Sequence, residues 1–192
     1  MKKILFVAAL MLSSVSTFAQ HAVGSFNLQP KVGVSIANLT EVKGSDPRVG
    51  LVAGVEGEYQ ASDIFSVSAG VLYSMQGAKA NFANLVDATN RLDYINVPIM
   101  ANVYVVKGLA VKLGVQPGFN VSNKLKVNNL DAFDNPVVKA QSVDVSIPVG
   151  FSYEYNNFQL DARYNWGVSK AFKLTDAKNS VFQITLGYKF DL

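Results

Sequence analysis

The sequence predicts an all-β fold, an eight-stranded antiparallel up-and-down transmembrane β-barrel. Three observations carry this. Apolar and polar residues alternate with period two in eight separate segments, so each predicted strand has one greasy and one wet face. The connections between segments run alternately long and short, the pattern of long external loops and short internal turns in outer-membrane barrels. The greasy faces carry no Asp, Glu, Lys or Arg and are too many to share one interior. A closed barrel whose greasy faces meet lipid satisfies all three.

The chain of 192 residues opens on an export signal rather than on the fold. Lys2 and Lys3 form a basic start, Ile4 to Leu12 an apolar run, and Ser13 to Ala19 a tail of mostly small residues. Thr17-Phe18-Ala19 suits cleavage after Ala19. The apolar run is shorter than the roughly 20 residues a helix needs to cross a bilayer. Residues 1–19 are therefore read as a signal peptide and 20–192 as one barrel domain. There is no Cys, which excludes a lipoprotein anchor and disulfides. Lys2 and Lys3 supply two of the three net positive charges, so the remainder gives no basis for nucleic-acid binding.

The first predicted strand runs from Asn27 to Ala37, with Leu28, Val32, Val34 and Ile36 outward and Gln29, Lys31, Gly33 and Ser35 inward. After the polar Asn38–Pro47 segment, the second runs from Val49 to Gln60 with Glu56 and Glu58 inward. A tight Ala61-Ser62-Asp63 turn leads to the third, Ile64 to Gln76. A longer polar connection, Gly77 to Arg91, precedes the fourth, Tyr94 to Val105; Lys107-Gly108 turns into the fifth, Leu109 to Val121. Ser122 to Gln141 is the longest loop. The sixth strand, Val143 to Tyr155, and the seventh, Phe158 to Gly167, are joined by Asn156-Asn157, a pair that tolerates positive φ. A last loop, Ser169 to Asn179, leads to the C-terminal strand, Val181 to Leu192, where Phe182, Ile184, Leu186, Tyr188 and Phe190 alternate with Gln183, Thr185, Gly187 and Lys189. Pro98, Pro117 and Pro148 are expected to mark bulges or strand ends.

Composition across the strands agrees with a narrow bore. Of the glycines inside predicted strands, all but Gly57 fall on the inward parity, and eight strands enclose only enough space for side chains. Aromatics gather near strand ends, as two interfacial belts require. A soluble barrel would need the bulky face inside and a face rich in Gly and Ser outside. The inward charges form a candidate lumen charge network: Lys31, Lys112, Arg163 and Lys189 against Glu56, Glu58, Asp144, Glu154 and Asp161. Such a network either plugs the barrel with ion pairs or rings a selective pore; mixed signs and a narrow bore favour the plug. Pairing across the Asn156-Asn157 turn sets Gly150 against Arg163, which leaves room for the guanidinium to reach Glu56, Glu58, Asp144 or Asp161.

Tyr94-Ile95-Asn96-Val97-Pro98-Ile99, Gly114-Val115-Gln116-Pro117-Gly118-Phe119, Leu160-Asp161-Ala162-Arg163-Tyr164-Asn165-Trp166-Gly167 and Leu186-Gly187-Tyr188-Lys189-Phe190 occur in that order after a signal ending Phe18-Ala19-Gln20. Together they resemble the outer-membrane β-barrel domain of the Bacteroidetes PorT-like porin family. The resemblance implies a barrel in the cell outer membrane and little about activity. Asp191-Leu192 after Phe190 departs from the usual aromatic ending of an assembly signal.

His21 is the only histidine, beside the expected cleavage site, so a Ser–His triad or a His-based metal centre in the barrel is not expected. No cofactor or metal is implied; Asp131 and Asp134 are read as solvated loop acids. The expected role is structural or surface-interacting and non-enzymatic, with a narrow porin-like channel for small solutes or ions as the alternative. The expected partners are outer-membrane lipid and, through the C-terminal strand, the barrel-assembly machinery, with the protein itself a monomer. The loops name no partner.

Overall fold

The computed structural model describes residues 21–40, 45–82, 86–127, 130–132, 141–171 and 177–192. Residues 1–19, read from the sequence as a signal peptide, and Asp134 lie outside these residues. The strands are β1 (Phe26–Leu39), β2 (Ser45–Ser62), β3 (Phe65–Phe82), β4 (Val86–Asn96), β5 (Ile99–Val106), β6 (Leu109–Val127), β7 (Leu130–Ala132), β8 (Val143–Tyr155), β9 (Phe158–Gly167), β10 (Asn179–Tyr188) and β11 (Phe190–Asp191). Every pairing is antiparallel, and the sheet closes on itself where β1 pairs with β10 and β11. Among the described residues, closure leaves the eight-strand ring itself without an open edge of unpaired N–H and C=O groups, which hydrocarbon cannot solvate.

Among the described residues the ring has eight strands, because two of them are interrupted. Against β3, Asn96 pairs with Leu72 and Ile99 with Ala69, so β4 and β5 share one register across Val97-Pro98. Proline has no N–H to give the ladder. Its neighbours remain bonded: Val97 N donates to Pro117 O at 2.8 Å and Gly70 N to Pro98 O at 3.1 Å. β10 and β11 likewise share a register on β1, with Gly187 opposite Lys31 and Phe190 opposite Leu28. At Pro148 the β6–β8 ladder pauses and resumes in phase, from Leu113↔Val149 to Gln116↔Ser146. Pro98 thus falls at a strand break, as the sequence suggests, whereas Pro117 and Pro148 lie inside β6 and β8, where the β6–β8 register is unshifted, and mark neither a bulge nor an end in that pairing.

The faces are inverted relative to a soluble barrel. Val32, Phe151 and Trp166 are 60%, 61% and 61% exposed, whereas Gln29, Gln60 and Gln183 are wholly buried. An apolar outer surface of this extent belongs in lipid. At the short-turn end Tyr59, Tyr153, Tyr155, Phe158 and Phe190 are exposed, and at the long-loop end Tyr73, Tyr164 and Trp166. The edge-on Phe158–Tyr188 pair, with centroids 5.0 Å apart, continues into Tyr188–Phe190 at 4.7 Å. The β8–β9 turn has φ of 48° at Asn156 and 66° at Asn157, the double left-handed geometry of a two-residue hairpin.

The connections differ from the sequence reading. Most of Gly77–Arg91 is not irregular: β3 continues to Phe82 and β4 returns from Val86 in register. Ser122–Gln141 reads in the sequence as the longest loop, yet within it β6 runs on to Val127 and β7 doubles back along it. β2 starts at Ser45, inside the segment read as polar loop. A barrel strand needs about 9–11 residues to cross, whereas β2, β3 and β6 have 18, 18 and 19. Their surplus rises past the membrane on the long-loop side, where both faces of a strand can be polar and the period-two signal fades. At Gly77 (φ 119°) the alternation itself breaks, with Gln76, Gly77 and Ala78 buried in succession. A small apolar cluster of Leu39, Ala78, Leu92, Tyr94, Ala171 and Ala177 lies at this end.

The outward assignment is testable by depth. Val115, half-exposed in mid-strand, and Val121, six positions nearer the long-loop rim, share a parity. Val115→Arg is expected to lower unfolding stability in liposomes by about 2–4 kcal/mol, and Val121→Arg by about 0–1. Equal urea midpoints for the two variants would contradict the lipid-facing assignment.

Candidate functional site

Inward parity and register bring Lys31, Glu56, Lys112, Asp161 and Arg163 to one level of the lumen. Space for them is made by glycine on the neighbouring strands. Lys31 lies between Gly54 and Gly187, Glu56 faces Gly70, and Gly150 separates Lys112 from Arg163. A Cβ on Gly150 would meet the Ala162 carbonyl and the Arg163 backbone, so this gap admits no side chain. The five charged side chains are each at most 4% exposed.

Arg163 is the hub of this layer. Its Nε donates to Asp161 Oδ1 and its Nη2 to Asp161 Oδ2, both at 2.8 Å. Nη1 reaches Glu56 Oε1 at 2.8 Å and Nη2 reaches Glu56 Oε2 at 3.3 Å. The planar fork thus grips two carboxylates, a geometry that lysine cannot reproduce. Lys31 Nζ adds contacts of 2.6 Å to Glu56 and 3.4 Å to Asp161, and Lys112 Nζ is 2.7 Å from Asp161.

A second cluster lies toward the short-turn end. Lys189 Nζ sits 3.0 Å from Glu58 Oε2 and 2.8 Å from Glu154 Oε2. Glu58 also accepts from Tyr104 Oη and Ser66 Oγ at 2.5 Å and from Gln29 Nε2 at 2.7 Å. His21 closes this layer from outside the strands, with Nε2 2.9 Å from Glu154 and Nδ1 2.9 Å from Asp191. A hollow of about 610 Å³, lined by His21, Lys107, Tyr153, Glu154, Asn156 and Asp191 among others, opens beside it. The hydrogen bond to Glu154, opposed by burial, raises the His21 pKa above its ordinary value of 6.5.

The sequence reading grouped nine residues as one network; the structure divides them. Lys31, Glu56, Lys112, Asp161 and Arg163 form the central layer, and Glu58, Glu154 and Lys189 the second. Of the acids considered for Arg163, Glu56 and Asp161 receive it, while Glu58 turns to Lys189. Asp144 stands apart, because it occupies the long-loop end of β8, six residues from Gly150. It accepts from Asn179 Nδ2 at 2.6 Å and from Ser169 Oγ. Sequence reasoning missed His21 and Tyr104. A residue before the first strand carries no parity, and Tyr104 reads as one more apolar member of an aliphatic strand. Among the described residues no three His, Asp or Glu side chains converge as a metal centre.

A closed antiparallel ring with a lipid-facing exterior and a packed polar interior defines the class: a membrane-spanning β-barrel. The chain matches the family described as outer membrane protein beta-barrel domain over residues 18–173, and it belongs to that family. Family membership implies an outer-membrane location. The match does not reach the finer PorT-like grouping. No curated protein sequence matches the chain. Among solved structures it is similar to Neisserial surface protein A, with TM-score 0.55 and 16% identity over 86% of this chain and 97% of that one. It is also similar to OprG of Pseudomonas aeruginosa, with TM-score 0.54 and 16% identity over 88% and 97% of the two chains. Ail, the attachment invasion locus protein of Yersinia pestis, solved with the heparin analogue sucrose octasulfate, gives TM-score 0.52 and 17% identity over 88% and 100%. At these identities the likeness is one of fold.

Two outcomes follow from the lumen. Arg163→Ala leaves Glu56 and Asp161 short of their principal partner and is expected to lower stability in lipid by about 3–5 kcal/mol. Arg163→Lys should fall between, since it keeps charge and loses the fork; a urea midpoint for Arg163→Ala equal to that of the parent would contradict the assignment. His21 titrates above its unfolded value, so its contribution to stability is complete below about pH 6.5. That contribution is lost as pH rises through the raised folded value. Stability against pH should therefore fall more steeply above neutrality in the parent than in His21→Asn, and parallel curves would exclude the tie.

Proposed function

We propose that this protein is a closed, non-enzymatic barrel of the outer membrane, with a structural or surface-interaction role. One observation carries the reading: at the central level the bore is filled by Arg163, Lys31 and Lys112, each paired with Glu56, Asp161 or both. A solute would have to break ion pairs in a site with little water, where unpaired charge is costly. The side chains that could do chemistry are spent on each other. Surface interaction is supported by β2, β3 and β6, which outrun the membrane and carry polar sheet to the long-loop side. The protein works as a monomer in lipid, inserted by the barrel-assembly machinery.

Conductance across a planar bilayer tests closure. The parent should give no steady unit steps, and Arg163→Ala should introduce a small leak. Regular steps from the parent would overturn the closed reading in favour of the narrow channel.

A further inference from the structure

Above the central layer, toward the long loops, the lumen changes from charged to amide-lined. A cavity of about 10 Å³ is bounded by Gln116, Asn165, Asn179, Asn96, Asp144 and neighbouring residues. That is the space of about one water-sized sphere. Gln116 Oε1, Asn165 Oδ1 and Asn179 Oδ1 are buried oxygens with no hydrogen-bond donor among the described residues. Their parent side chains are at most 3% exposed. Unpaired buried polar atoms around a void mark a place for something polar.

Asp144 decides what that something is. Each of the other four buried lumen carboxylates, Glu56, Glu58, Glu154 and Asp161, has a Lys or Arg nitrogen within 3.0 Å. Asp144 has none among the described residues. Its partners are the neutral Asn179 and Ser169. Arg48, the buried cation on β2 near this rim, gives its guanidinium to the Gln76 carbonyl, and its electrostatic neighbours are Asp93, Arg91 and Tyr73. A buried carboxylate without a counter-charge is unfavourable. Carboxylate and amide carbonyl oxygens are the donor set of hard cations. One carboxylate among neutral oxygens balances one positive charge, whereas a divalent ion would leave the buried layer charged.

We propose that the cavity beside Asp144 binds one small monovalent cation, of the sodium or potassium class. Asp144 supplies the charge, and Gln116, Asn165 and Asn179 supply carbonyl oxygens. The unpaired Asn96 Nδ2 and Asn165 Nδ2 do not oppose this, since rotation of an amide about its terminal bond exchanges oxygen for nitrogen. The ion completes the charge pairing of the lumen one layer above the Arg163 cluster. The proposal stands whether or not the barrel conducts.

The test uses the folded full-length barrel. Its unfolding midpoint is measured at fixed ionic strength in sodium, potassium and rubidium chloride and in N-methylglucamine chloride, whose cation is too large for the cavity. The midpoint should be higher in at least one alkali cation. That difference should be lost in Asp144→Asn and reduced in Asn165→Leu, which keeps the charge and removes one oxygen. Crystals soaked in rubidium should show an anomalous peak beside Asp144; this readout needs no variant, so a failure of Asp144→Asn to fold leaves the test intact. A midpoint indifferent to cation identity, a difference retained in Asp144→Asn, or a cavity holding only water in the rubidium crystals would each overturn the proposal.

Discussion

Hydrocarbon offers no hydrogen bonds to a backbone, and this constraint shapes every level of the molecule. It demands a ring without edges, which β1 completes by pairing with β10 and β11. A ring of eight strands has a bore that side chains must fill. Alternation along each strand assigns the apolar residues to lipid, so the polar ones fall inside. Polar and charged groups in a narrow, dry space must then satisfy one another. The interior of this protein is therefore a polar core, held by geometry as strict as that of an apolar one.

Charge and volume are solved together in that core. Three long cations and two carboxylates meet at one level because glycines on the adjacent strands leave the lumen open there. Arg163 is held on both sides of its fork, so its position is over-determined. Nearer the short turns, Lys189 and Tyr104 perform the same service for Glu58 and Glu154, and His21 brings the chain ahead of β1 over the mouth. The layers differ in kind: charged and paired at the centre, amide-lined above, apolar at the long-loop rim. A bore so stratified suits a barrier better than a uniform pore, whose lining would be continuous and wet.

The eight-strand ring and its inside-out faces were legible because period-two alternation is a local property. Lys31, Glu56, Lys112, Asp161 and Arg163 could all be assigned to the lumen from parity alone, and the Asn156-Asn157 turn placed Gly150 opposite Arg163 through a register set by two residues. The surplus of β2, β3 and β6 was not legible. Above the membrane, water meets both faces, and nothing in the residue pattern distinguishes strand from loop.

Which charges meet was decided by the tertiary structure alone. Parity says that a residue points inward but not at what height, and height depends on the stagger between strands far apart in sequence. Glu56 and Arg163 lie 107 positions apart, and His21 and Glu154 lie 133 apart. Asp144 shares its parity with Glu154 but sits ten residues along β8, at the opposite end of the bore. Sequence alone determined the class of fold and the set of inward side chains, because alternation is written residue by residue. Only closure of the ring determined their partners, because cross-bore distance exists only once the first strand has met the last.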